Sequence, residues 1–174
     1  MKKKIIEEII RVNHAGEYGA KRIYQGQIDF TKDPKTKALL KEMLDHELEH
    51  LEYFDKEIQN RQSRPTIFYP IWHVVGYGLG AATAIMGKNT AMACTLAVED
   101  VIEDHYQEQI DLLSKSRNKE DIKLKEKIEK FQADEVHHQN IAIEHEARLA
   151  PFYKATDQII RTGSKIAIWL SKRF

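Results

Sequence analysis

A chain of 174 residues has room for one domain with a sizeable core and little for a second. Its 27 basic and 27 acidic residues cancel, which removes the net basic footprint of a nucleic-acid binder. The single cysteine, Cys94, excludes an internal disulfide or a cysteine-rich metal cluster and points to a reducing compartment.

Lys2, Lys3 and Lys4 lead into Ile5 and Ile6, but Glu7 and Glu8 break any secretory apolar run, so the mature chain is expected to begin near Met1. Only four prolines and eight glycines punctuate the sequence, and the intervals between them repeat apolar residues every three or four positions. The expected fold class is all-α, in a single domain over residues 1–174.

The first helix is predicted from about Lys4 to Phe30, with Ile6, Ile10, Asn13, Glu17, Ala20, Tyr24 and Ile28 on its inward stripe. Glu17 thus interrupts an apolar face. Gly16 and Gly19 flank it at a helix-interior cost of up to about 1 kcal/mol each, which implies close backbone approach or room for a ligand. Asp33-Pro34 is a helix start, with Asp as cap and Pro in the first turn. The second helix continues to about Asn60 and carries Leu40, Met43, Glu47, His50, Leu51, Phe54 and Ile58 inward. Glu49 and the other acids fall off that stripe and read as a solvated face.

From Pro65 to Gly87 there is no Asp, Glu, Lys or Arg. The 65–88 segment suits a membrane span in length, but Pro70, His73 and its glycines dilute the apolar run. A span, a buried core helix and a helix lying at a bilayer surface are three open readings. A fourth helix is expected over about 90–115, aligning Met92, Leu96, Glu99, Ile102, Tyr106, Ile110 and Leu113. A fifth runs to about Leu149 with Ile128, Phe131, Glu135, His138, Ala142 and His145 inward, and Ala150-Pro151 ends it. A last amphipathic helix, about 152–171, mixes isoleucines and Trp169 with Lys165, Lys172 and Arg173, as in a packing cover or a surface for a bilayer or partner.

Laid out in order, the chain repeats itself. A lone inward Glu (Glu17, then Glu99) is followed on the next helix by an inward Glu-x-x-His (Glu47 and His50, then Glu135 and His138), giving halves of about 4–60 and 90–149 joined by the 65–88 crossover. Chance alone supplies about one Glu-x-x-His in such a chain, so the duplicated order carries the argument. Four buried carboxylates and two imidazoles without compensation cost several kcal/mol per charge. Two divalent cations would neutralise them, and oxygen and imidazole ligands without thiolate favour iron or manganese. A Glu from each of two helices and Glu-x-x-His from two others is the pattern of ferritin-like di-iron or di-manganese bundles. His105, six residues after Glu99 and beside Tyr106, is either a group that hydrogen-bonds or relays protons at that site or a satisfied core histidine. His14, His46, His73, His137 and His145 read as structural or exposed. No Gly-rich nucleotide motif follows a strand.

Asn13-His14-Ala15-Gly16-Glu17-Tyr18-Gly19-Ala20, Asp45-His46-Glu47-Leu48-Glu49-His50, Ala97-Val98-Glu99-Asp100 leading to His105-Tyr106, Glu135 to His138 and Leu149-Ala150-Pro151 together resemble the demethoxyubiquinone hydroxylase family of ubiquinone biosynthesis. The resemblance spans nearly the whole chain. It implies a ferritin-like four-helix bundle with a long hydrophobic crossover and an additional C-terminal amphipathic helix. It implies a membrane-associated di-iron monooxygenase that hydroxylates a polyprenylated methoxy-benzoquinol with O2 and electrons ultimately from NADH. Glu17, Glu47, His50, Glu99, Glu135 and His138 would be the iron ligands, and His105 and Tyr106 a relay of electrons and protons between quinone and irons. The expected partners are the quinone, a membrane surface, and a lipid-presenting accessory protein or a second copy of the chain. The expected location is the cytoplasmic face of a bacterial inner membrane or the matrix face of the mitochondrial one. Rival readings are a ferritin-type ferroxidase, a manganese catalase-like redox enzyme and a lipid-binding helical protein with vestigial ligands.

Overall fold

The structure, a computed structural model, describes residues 3–174; Met1 and Lys2, and with them the expected start of the mature chain, lie outside the described residues. Among the described residues the chain forms α1 (Lys3–Phe30), α2 (Pro34–Asn60), α3 (Tyr69–Ile85), α4 (Lys88–Leu113), α5 (Lys119–Glu144) and α6 (Tyr153–Arg173), with a 3-10 turn at Ala147–Leu149 and no strand. The all-α, ferritin-like expectation holds.

Local chemistry sets the boundaries. The Asp33 carboxylate accepts from the Thr36 amide at 2.8 Å, with Pro34 in the first turn of α2. The Asn118 side chain accepts from the amides of Glu120 and Asp121 at the start of α5. Between α3 and α4 stand only Met86 and Gly87, and Gly87 turns the chain at φ 116°, a conformation that favours glycine. Short connections make α1 and α2 one helical hairpin and α4 and α5 another, and the two hairpins pack against each other.

Three apolar clusters fill the structure, the smallest joining Ile23, Cys94, Ala97, Val98 and Ile160 where α6 meets α1 and α4, and the two larger ones filling the ends of the bundle. One includes Tyr24, Leu40, Met43, Met92, Leu96 and Ile141. The other includes Ile10, Phe54, Tyr106, Leu113, Ile128 and Phe131. Each fully buried side chain of this size contributes about 1.5–3 kcal/mol relative to exposure. Along α1 and α2 the acid and imidazole residues fall between the two larger clusters, so a charged layer is shielded from water at both ends.

Two expectations change, and the open readings of the 65–88 segment narrow. The 65–88 segment is neither core helix nor span: α3 lies along α1 and buries only Gly76, Gly80, Ala81 and Thr83, while Val74 and Ile85 stay exposed, and no described helix is long and apolar enough to cross a membrane. The fifth helix stops at Glu144 rather than near Leu149, because Glu146 takes a left-handed conformation and a 3-10 turn follows. His145, expected inward, is therefore a half-buried cap residue.

Of the two readings of Gly16 and Gly19, room holds at both, since a Cβ on either would meet nothing within 4 Å. Close approach also occurs at Gly19, whose carbonyl lies 3.0 Å from where a Cβ on Gly76 of α3 would stand. The tightest contacts are at Gly26 and Gly80, where a Cβ would collide with the carbonyls of Tyr77 and Ile23, and these let α3 lie on α1.

Candidate metal centre

Each helix of the two hairpins brings its acid or its acid and imidazole to the same depth in the bundle. Glu17, Glu47, His50, Glu99, Glu135 and His138 are all at most 1% exposed. They form two overlapping groups, Glu17, Glu47, His50 and Glu135, and Glu47, Glu99, Glu135 and His138; within each, the candidate ligand atoms lie within 4.8 Å of one another. Glu47 and Glu135 belong to both groups, a sharing that the spacing in the sequence did not reveal. His50 turns Nδ1 inward, 3.4 Å from Glu17 Oε2 and 3.3 Å from Glu135 Oε1. His138 likewise places Nδ1 3.4 Å from Glu47 Oε1 and 3.2 Å from Glu135 Oε2.

The fit to a cation is read from orphaned atoms. Glu17 Oε2, both oxygens of Glu47 and of Glu135, Glu99 Oε2 and Nδ1 of His50 and His138 are buried without a hydrogen-bond partner. Leaving such atoms unpaired is costly, and a divalent cation satisfies several at once. The electrostatics agree. Burial, then the neighbouring carboxylates, push Glu47 well above the usual carboxylate range. Burial and Glu135 do the same to Glu99. Glu135 is pushed up to about 7, chiefly by burial. At His50 burial favours the neutral ring, but Glu135 and Glu17 outweigh it and raise the pKa to about 11.

Around this layer the hydrogen bonds follow the repeat. Tyr24, seven residues after Glu17, donates to Glu99 Oε1 at 2.5 Å, and Tyr106, seven residues after Glu99, donates to Glu17 Oε1. Tyr106 thus has a counterpart in Tyr24. The residue before each Glu-x-x-His also reaches across: His50 Nε2 lies 3.1 Å from Asp134 Oδ2, and His138 Nε2 lies 3.1 Å from His46 Nδ1. Sequence reasoning missed Tyr24, Asp134 and His46 as partners of the site, and set His46 among the structural or exposed histidines. The available signal was their matched place in the two halves.

The remaining histidines do other work. His105 is buried, with Nδ1 3.5 Å from Glu108 and Nε2 without a hydrogen bond; burial, with Lys172 nearby, pulls its pKa to about 4. His14 pairs with Asp55 at 2.9 Å, and exposed His73 accepts or donates at 2.5 Å with the Tyr18 hydroxyl.

Beside the charged layer, α1, α3, α4 and α6 line an apolar cavity of about 290 Å³ that is partly open to the surface. Gly16 and Ala20, which flank Glu17, line one wall, and Val98 and Ile102, which flank Glu99, line another. Trp72 and Ile160 bring α3 and α6 to it.

Comparison with known proteins shows the family. The family model described as ubiquinone biosynthesis protein COQ7 matches residues 4–171. A Dictyostelium discoideum protein named NADPH-dependent 3-demethoxyubiquinone 3-hydroxylase, mitochondrial, is 50% identical over 99% of this chain and 79% of its own length. The Homo sapiens protein of the same name is 42% identical over 97% of this chain and 77% of its own. A Rhodospirillum rubrum protein named 3-demethoxyubiquinol 3-hydroxylase is 41% identical over 97% of this chain and 78% of its own. With the family model matching all but the ends of the chain and relatives this similar along nearly all of it, the chain belongs to the COQ7 family of ubiquinone biosynthesis proteins, an enzyme family of hydroxylating oxidoreductases.

Proposed function

We propose that this chain is a di-iron monooxygenase that hydroxylates the ring of a polyprenylated methoxy-benzoquinol in ubiquinone biosynthesis, with O2 as co-substrate. The observation that carries the reading is the convergence of four buried carboxylates and two inward imidazole nitrogens whose ligand atoms lack hydrogen bonds. Glu17, Glu47 and His50 with Glu135 would hold one iron, and Glu99 and His138 with the shared Glu47 and Glu135 the other. Bound there, the two irons supply the reduction of O2 and the transfer of one oxygen atom to the ring.

The chain's own residues do the rest. The two larger apolar clusters keep water from the charged layer, which strengthens every electrostatic contact inside it. Tyr24 and Tyr106 hold one oxygen each of Glu99 and Glu17, leaving the other free for a cation. The cavity beside Gly16 and Gly19 suits an aromatic ring with an isoprenoid tail, which needs apolar walls rather than polar ones. The exposed apolar residues of α3 and α6, among them Val74, Ile159 and Trp169, would face a membrane surface through which such a tail arrives. His105 and Tyr106 retain the relay role that the resemblance implies; Tyr106 touches Glu17, whereas His105 faces Glu108. The reductant is a reduced nicotinamide nucleotide: the sequence reading expects NADH, and the names of the mitochondrial relatives give NADPH.

The test is aerobic incubation of iron-loaded protein with a short-tailed demethoxyubiquinone and either nucleotide. The expected result is a product heavier by one oxygen atom, labelled from ¹⁸O2. Iron oxidation with the quinone recovered unchanged would overturn the proposal in favour of a ferroxidase.

A further inference from the structure

We infer that the two metal positions are chemically unequal, the one built on His50 binding a divalent cation more tightly than the one built on His138, because Asp134 and His46 are different hydrogen-bond acceptors at matched places of the repeat. This rests on the metal-centre reading and goes beyond it by assigning Asp134 and His46 as positioning residues with opposite consequences.

Most of the contacts around the six residues come in matched pairs. Glu17 and Glu99 each receive one tyrosine hydroxyl, and Glu47 and Glu135 each belong to both groups. His50 and His138 both turn Nδ1 to the carboxylates and Nε2 outward. The repeat is broken where Nε2 finds its partner: Oδ2 of Asp134 at one ring, Nδ1 of His46 at the other, each 3.1 Å away.

The chemistry of imidazole then fixes the protons. A ring that gives Nδ1 to a metal carries its proton on Nε2, so both rings donate outward. Asp134, a carboxylate, accepts that proton in a charge-assisted bond and shifts electron density onto the ring, which makes His50 a stronger donor to the cation. His46 can accept at Nδ1 only as the neutral tautomer with its own proton on Nε2. A neutral acceptor polarises His138 less, and it brings no negative charge toward the cation. Removing such an outer partner weakens metal binding by about 10- to 100-fold, and the two positions should differ by a comparable factor.

Metal-depleted protein is titrated with Co(II), followed by calorimetry and by the visible absorption of the bound ion. Wild-type protein should take up two ions in two steps about 10- to 100-fold apart. Asp134→Asn should weaken the tighter step by about that factor, and His46→Asp should tighten the weaker one, each bringing the steps together. The exchange variant His46→Asp with Asp134→His should separate them again, which loss of structure could not do; circular dichroism of every variant checks helicity. Two indistinguishable steps in wild-type protein, or a separation that neither single substitution alters, would overturn the inference while leaving a two-metal centre in place. No Co(II) uptake at all would overturn both this and the metal-centre reading.

Discussion

At Glu17 the phenol of Tyr106 takes the place of water on one carboxylate oxygen, while the other oxygen faces His50 Nδ1 at 3.4 Å. Glu17→Ala removes a ligand oxygen and strands the buried Tyr106 hydroxyl, so metal analysis after iron loading should show reduced occupancy; a full complement of iron would remove Glu17 from the ligand set. His105 makes a pH prediction. Its pKa is held near 4 in the folded chain against an ordinary 6.5, chiefly by burial, so between those values the unfolded chain binds more protons than the folded one. Stability therefore falls as pH drops from about 6.5 toward 4, by up to about 3 kcal/mol from this group alone. Urea unfolding across that range should show a shallower loss for His105→Phe than for wild-type protein. Parallel curves would contradict the buried neutral ring.

Among the helices, the glycines divide into two kinds that look the same in sequence. Gly80→Ala must push α3 away from the Ile23 carbonyl of α1 and should cost about 1–3 kcal/mol in urea unfolding. Gly16→Ala enters open space in a helix interior and should stabilise by about 0.5–1 kcal/mol. Gly19→Leu would project into the cavity. It should raise KM for the quinone several-fold with iron content unchanged, and an unaltered KM would mean that the ring binds elsewhere. The stripes of α1, α2 and α4 were legible because a 3.6-residue period has one inward face. The end of α5 was not, since it depends on the left-handed turn at Glu146 and on the packing of Ala147, neither marked by glycine or an internal proline.

Taken as a whole, the molecule is a duplicated helical hairpin with two further helices, α3 and α6, laid over one side of it. Arg11 of α1 donates to the carbonyls of Ser171 and Lys172 near the C-terminal end of α6, and Arg161, midway along α6, pairs with Asp100 of α4, so α6 is held by polar contacts at two places while Ile160 is its one buried apolar side chain. That leaves Val74 on α3 and Trp169 on α6 facing outward at 69% and 51% exposure. If these surfaces meet lipid, Val74→Asp combined with Trp169→Asp should lower the fraction of protein sedimenting with phospholipid vesicles without changing helicity or metal uptake. An unchanged fraction would place the membrane contact elsewhere.

Helical class, the duplicated order and the six residues of the charged layer were determined by the sequence itself, because helical periodicity and Glu-x-x-His spacing are local properties of a chain. Which carboxylates are shared, which tyrosine serves which glutamate, the partners of the two imidazoles and the surface position of α3 were decided only by tertiary structure. Those depend on how one hairpin is set against the other, and no periodicity within a single helix encodes what faces it across the bundle.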